Sequence, residues 1–340
     1  MTASNLKGSL LEYTVRRILL NCGFTKVKPD GLLIYKRGGL TMINGKGAAH
    51  DADVLMNPPI QMPFSYPYRL NFECKAYNKK VGLTIIRNAL GLRYDINEFE
   101  IVTRKHLKER QNNKRSPLAI DNRQRFNYQV GVASVEDFTK PAFEFAANNK
   151  IPLISLRWFL PAAICDSFHQ ITPTYLQRYT EQQLNDLYEF LKGNDNENAT
   201  SFLTETDSIF KNIYDSIIEF ENRVLIGLLE SGDLLFLISN NDNGVDYISN
   251  RNSVMTARFH YHRRTLDFWK LNVNQQVEFG FYLPSRIIEM WKEQSFDSQA
   301  AINLKAELFS RVFVFVKNQE LPFKILKIDS RWLNDINQNE

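Results

Sequence analysis

No apolar run in this chain approaches the ~18 residues that a membrane-spanning helix needs. The N-terminal MTASNLKGSLLEYTV has no basic stretch followed by an apolar core and a small-residue cleavage site, so no secretory signal is visible. Cysteine is scarce. Cys22, Cys74 and Cys165 have no paired spacing, form neither a zinc motif nor an obvious disulfide, and suit a reducing cytoplasm. Internal repeats and low-complexity tracts are missing. So is the glycine-rich loop ending in Lys-Ser/Thr that cradles nucleotide phosphates, so any ATPase would have to be a separate chain. A strong charge of one sign is missing too. The net charge of +4 does not by itself announce a nucleic-acid binder.

What is present is an ordinary soluble composition, 44% hydrophobic and 24% charged, over 340 residues, which is long enough for two domains. Its most informative stretch is RLNFECKAYNKK, residues 69–80. Leu70 and Phe72 alternate with Asn71 and Glu73, the period of a half-buried strand. Glu73 and Lys75 therefore point to one face and Cys74 to the other. Such a pair can be no more than a surface ion pair, which contributes little energy. Upstream, however, HDADVLM sets Asp53 just before the apolar Val54, Leu55 and Met56, which reads as another strand. Two carboxylates and a lysine gathered across adjacent strands make a site for Mg²⁺ (or Mn²⁺) and an activated water. Asp51 competes with Asp53 for that role, since alternation puts both on one face. Asp53 is the one that leads into the apolar run.

Taken in order, residues 8–22 place Leu10, Leu11, Val15, Ile18 and Leu19 on one helical stripe, with Ser9 as N-cap and Gly23 as the stop. Glu12 then falls in the first turn, where the helix dipole favours a carboxylate. Short strand-like pieces follow around 25–28, 32–35 and 40–43, then the Asp53 strand, a proline-rich loop and the Glu73 strand. A helix is predicted from Gly82 to Glu98 and a strand at FEIVTRK, residues 99–105. YQVGVAS reads as a buried strand, KPAFEFAANNK as a helix opening on proline, and IPLISL as a last short strand. This order predicts an α/β layer around one mixed sheet. Residues 173–192 read as helix and 193–200 as a polar linker. The second half reads as α+β: a helix over 202–220, a hairpin around Ser231-Gly232-Asp233, and another hairpin in RVFVFVKNQELPFKILKI. The divisions are 1–165, a helix and linker at 166–200, and a second domain at 201–340 whose fold the pattern does not name.

The first of these divisions resembles the Mrr-like branch of the PD-(D/E)XK restriction-endonuclease superfamily over roughly residues 8–160. The resemblance rests on GSLLEYTVRRILLNCGF with its glutamate, HDADV, FECKAY, and YQVGVASVEDFTKPAFEFAANNKIPLIS, in that order and spacing. Ala52 stands where the motif's name has proline, a position that varies. The resemblance implies a restriction-endonuclease-like mixed sheet flanked by helices. It also implies that Asp53 and Glu73 bind divalent metal, that Lys75 orients or deprotonates the attacking water or stabilises charge on the phosphate, and that Glu12 joins through the metal or a bound water. The implied activity is Mg²⁺-dependent cleavage of DNA in bacterial defence by a homo-oligomer. The alternative is a nuclease-fold subunit, inactive or dependent on a partner, that binds DNA or nucleotide.

Residues 103–125 carry eight Lys or Arg against Glu109 and Asp121, so the rest of the chain is slightly acidic. The run can be a solvated loop. Beside a nuclease site Lys105, Lys108, Arg110, Lys114, Arg115, Arg123 and Arg125 read as phosphate contacts. Gln129 either faces the site or starts a strand, and Tyr77 either packs the core or lies along DNA. His50 reads as a loop histidine. ARFHYHRRTLDFWK, residues 257–270, interleaves basic and aromatic residues and reads as an amphipathic strand and helix packing a core, or as a base-stacking surface. His260 and His262 share a strand face but have no third ligand at suitable spacing.

Overall fold

A computed structural model describes the chain except residues 32, 62–65, 99–124, 159, 194–198, 200–202, 204–207, 263, 318–321 and 340. The predicted strand at FEIVTRK and all of the basic run but Arg125 lie outside the described residues. Helix α1 (Ala3–Asn21) is followed by strands β1 (Thr25–Lys26), β2 (Ile34–Arg37), β3 (Leu40–Asn44), β4 (Ala49–Asp51), β5 (Val54–Asn57) and β6 (Tyr68–Lys75). Helix α2 (Leu83–Asn97), β7 (Asn127–Ser134), α3 (Lys140–Asn148) and β8 (Leu153–Ser155) complete the first half.

Five strands form one mixed sheet in the order β1-β5-β6-β7-β8, antiparallel as far as β6 and parallel from β6 to β8. Alternation sorts its side chains. Val54, Met56, Leu70, Phe72 and Cys74 pack on α1, while Leu55, Val130 and Val132 pack with Ile86 and Ala89 of α2 and Ala142 and Ala146 of α3. With helices on both faces, β7 is a nearly continuous apolar run. Gly131 is required there: a Cβ would come within 2.5 Å of the Phe72 ring and 2.8 Å of the Pro152 carbonyl oxygen. Strands β2, β3 and β4 form a separate small sheet.

Two local expectations are corrected. Helix α1 begins seven residues' worth of stripe earlier than Ser9 implies, at Ala3, because the Thr2 hydroxyl accepts from the Asn5 amide and Leu6 and Leu10 extend the apolar stripe; Ser9 is buried inside it. Glu12 is consequently an interior residue, beyond reach of the N-terminal dipole. HDADVLM is also two strands in two sheets. The Ala52 amide still bonds to the Thr41 carbonyl in the small sheet, and the chain enters the large sheet at Val54.

The second half contains α4 (Ala162–Gln170), α5 (Pro173–Leu176), α6 (Glu181–Lys192) and α7 (Ile209–Glu221). The single helix expected over 173–192 is broken because Thr180 starts a new one with a capping box to Gln183. Then come β9 (Val224–Leu229), β10 (Leu234–Ser239), α8 (Gly244–Ser249), β11 (Val254–His262), β12 (Thr265–Val273) and β13 (Val277–Tyr282). Helices α9 (Ser285–Glu293) and α10 (Ser298–Leu308), strands β14 (Arg311–Phe315) and β15 (Phe323–Ile328) and helix α11 (Ser330–Asn339) end the chain. The strands close into a seven-stranded barrel, β10-β13-β12-β11-β15-β14-β9, with a parallel contact at β11–β15. Residues 257–270 are therefore a pair of antiparallel strands rather than strand and helix. Phe259, Trp269, Phe281, Trp291 and Phe309 fill the interior, and Arg258 pairs with Asp329 outside.

The two halves share packing. Leu187 and Leu191 of α6, Phe210, Ile213 and Ile217 of α7 and Ile226 and Phe236 of the barrel belong to the same apolar cluster as α1. Arg17 of α1 donates both Nε and Nη2 to the Glu221 carboxylate at the end of α7. Phe210→Ala is expected to cost about 3–5 kcal/mol in urea unfolding, shifting one transition that reports on both halves. A cost near zero, or loss of the barrel signal alone, would contradict the shared core.

Candidate metal centre

Asp53 is the second of the two residues, Ala52 and Asp53, between β4 of one sheet and β5 of the other. Val54 pairs with Phe72, so the register carried back one step sets Asp53 opposite Glu73. Its Oδ2 accepts from the Cys74 amide at 2.7 Å, which ties the carboxylate to the end of β6. On the face opposite Cys74, Lys75 donates to Glu73 Oε2 at 3.1 Å, with both side chains about three-quarters buried. Asp53, Glu73 and Lys75 thus lie near enough for their charges to act on one another.

Glu12 faces the same cluster from α1. It is only 7% exposed, and both its oxygens accept from Lys192 Nζ at the end of α6, at 2.9 and 2.6 Å. Sequence reasoning did not find Lys192. Its one local signal is a lysine at a helix C-terminus before glycine, which reads as a dipole-favoured surface residue. Asp51, at the end of β4, is near enough to Asp53, Lys192 and Lys75 to feel their charges.

Burial and mutual repulsion govern the titration of this group. Burial first, then the charge of Asp53, pushes the Glu12 carboxyl up to about 7, with Lys192 and Arg16 opposing. Glu73 is raised by burial and then Asp53, against the pull of Lys75. Asp51 is raised by burial and then Asp53. Burial disfavours the Lys75 ammonium, but Glu73 and Asp53 outweigh it and hold its pKa above the ordinary value. Lys192 behaves in the same way through Glu12.

The donor set fits a hard divalent cation. Carboxylate oxygens are its usual ligands, Asp53 Oδ1 and Glu73 Oε1 lie outside the bonds just described, and burial and the charge of Asp53 disfavour the Glu73 carboxylate in a way a cation relieves. The carboxylates are gathered without being drawn into a closed chelate. Among the described residues, one trio has its ligand atoms all within 4.8 Å: Glu136, Asp166 and His169. There, the Arg157 guanidinium already bridges Glu136 and Asp166, each at 2.6 Å, so that trio is a salt-bridge network around an arginine.

Other candidates separate plainly. Of the proposed phosphate contacts, Arg125 is described and exposed, whereas Lys105, Lys108, Arg110, Lys114, Arg115 and Arg123 lie outside the described residues. Gln129 donates to the Lys150 carbonyl, and Tyr77 is exposed. His50 sits 2.6 Å from Asp95 on α2, and His260 lies edge-on to Trp332. All three cysteines are buried free thiols.

No protein-family model and no curated protein matches the chain. Among solved structures, a crystal structure described as a protein of unknown function, AF1548, matches with 13% identity and a TM-score of 0.33, covering 62% of this chain and 97% of that one.

A carboxyl raised from 4.5 to about 7 in the folded chain binds more protons than the unfolded chain across that window. Its contribution to stability is full below the lower value and is lost as pH rises through the upper one. Wild type is therefore expected to lose melting temperature relative to Glu12→Gln/Lys192→Met between these pH values. Parallel curves for the two proteins would contradict the assignment.

Proposed function

We propose that the chain is a metal-dependent endonuclease that hydrolyses DNA phosphodiester bonds, with its five-stranded sheet as a restriction-endonuclease-like scaffold. The observation that carries this reading is the seam itself: Asp53 fastened to the Cys74 amide opposite the Glu73–Lys75 pair. In support, the sheet is mixed and lies between α1 on one face and α2 and α3 on the other. Asp53 and Glu73 would hold Mg²⁺ or Mn²⁺. When bound, such an ion makes water a nucleophile at neutral pH and offsets charge on the phosphate.

The chain's own groups do the rest. The Cys74 amide fixes the Asp53 carboxylate so that one oxygen remains for ligation. Lys75, whose ammonium form Glu73 and Asp53 favour, stabilises negative charge growing on the scissile phosphate and orients the attacking water. The buried Glu12, in the field of Asp53, supplies a further acceptor. DNA phosphates are assigned to the basic run from Lys105 to Arg125, and the charge there makes binding steeply salt-dependent. A homo-oligomer that cuts both strands and a role in bacterial defence follow from the Mrr-like resemblance, and the three unpaired cysteines suit a reducing cytoplasm. Among the described residues no helix is long and apolar enough to cross a membrane.

A second reading is favoured by the open spacing of the carboxylates and by Lys192 holding both Glu12 oxygens. In it the fold binds DNA or nucleotide within a defence complex, and cleaves only with a partner, an ATPase among the candidates, or not at all.

Plasmid cleavage with Mg²⁺ or Mn²⁺ distinguishes the two. Wild type is expected to cut, and Glu73→Ala and Lys75→Ala each to lose about 100-fold or more. Cleavage that survives both substitutions would move the activity elsewhere; absence of cleavage alongside retained DNA binding would favour the second reading.

A further inference from the structure

Helix α6 lies beyond the stretch that the sequence resemblance covers, yet its last residue reaches the candidate centre. Lys192 Nζ stands 2.9 and 2.6 Å from the two Glu12 oxygens, with side chains only 14% and 9% exposed. The approach is built along the whole helix. Thr180 and Gln183 cap its start, Leu184, Leu187 and Leu191 pack into the α1 cluster, and Gly193 closes its end in the left-handed region at φ 94°. Arg16, one turn beyond Glu12, donates to the Leu191 carbonyl. Two adjacent residues at the end of α6 are thus tied to two residues of α1 one turn apart. A lysine at a helix end usually extends into water; this one is held down on a buried carboxylate.

Resting on the metal-centre reading above, we propose that Lys192 is a positioning residue of that centre: it holds the Glu12 carboxylate in the field of Asp53 and makes α6 part of the site. The acid needs it. Glu12 is 7% exposed and lies in the field of Asp53, so an unpaired carboxylate there is strongly disfavoured. The contact does not exhaust its capacity. Each carboxylate oxygen accepts more than one bond, so an oxygen that receives the ammonium can still receive a metal-bound water. This is the relation that groups behind a metal's direct ligands have to the ion, orienting an acceptor without touching the metal.

The test uses the full chain and Mn²⁺ as the probe, with thermal melting as a readout independent of turnover. In Lys192→Met the Mn²⁺ concentration giving half the stabilisation is expected to rise about 10-fold or more. DNA turnover should fall with KM little changed, and Lys192→Arg should recover most of both. Should Lys192→Met not melt cooperatively, Lys192→Gln takes its place. An unchanged Mn²⁺ midpoint and unchanged turnover would reduce Lys192 to a structural contact and overturn the proposal. A lower midpoint would overturn it too, by making the lysine a competitor of the ion. So would a raised KM at unchanged kcat, which marks a DNA contact.

Failure of the underlying reading looks different: wild type itself shows no Mn²⁺ response. The ion pair is then judged without metal. If Glu12→Gln/Lys192→Met melts like either single variant, the pair is engaged; if the single effects add, Lys192 does not position Glu12.

Discussion

A backbone N–H at the end of a strand pairing has a bond to give, and at the last position of the β5–β6 seam the Cys74 amide gives it to the Asp53 carboxylate. The rest of the site depends on that choice. Asp53 is the residue at which the chain leaves one sheet for another, behind Ala52, whose amide still belongs to β3. A side chain at such a crossing would ordinarily be poorly held. Anchoring it to β6 places it in register with Glu73 and gives a side chain at a change of sheets a fixed position. The apolar platform beneath is equally determined. Phe72 lies against Gly131, where no side chain fits, so β6 and β7 are locked side by side under Glu73.

Gathering carboxylates in a half-buried space is unfavourable, and the protein offsets this incompletely. Lys75 answers Glu73 and Lys192 answers Glu12, while burial and the charge on Asp53 still raise the pKa of both acids. A group arranged only for stability would be better served by apolar residues of similar volume. Perturbed carboxyls beside partly free oxygens are the condition under which a divalent cation gains most, and such perturbation concentrates at functional sites. The contrast with Glu136, Asp166 and His169 is useful. Those donors lie closer together, yet an arginine already satisfies the acids. Proximity of donors and demand for a cation are different properties.

Much of this was legible from local pattern. The alternation around Glu73, the helix bounded by Gly82 and Glu98, and the buried strand at 128–134 correspond to observed elements because each is decided by its own period and its end residues. The hairpin at Ser231–Asp233 was legible for the same reason, with Gly232 supplying the left-handed turn. What escaped depends on distant partners. Ser9 looks like a cap until Thr2 is seen to do that work. The barrel closes through a parallel contact between β11 and β15, and no hairpin signal announces a pairing across that separation. Lys192 meets Glu12 across 180 residues of sequence, so the second cation of the site has no local signature.

The proposed chemistry stands or falls on whether oxygens of Asp53 and Glu73 share one divalent ion. The most direct measurement is anomalous diffraction from crystals soaked in Mn²⁺. The account predicts a peak about 2.2 Å from an oxygen of each carboxylate, lost in Asp53→Ala. A peak at Glu136, Asp166 and His169 instead, or none at concentrations that saturate binding in solution, would contradict it.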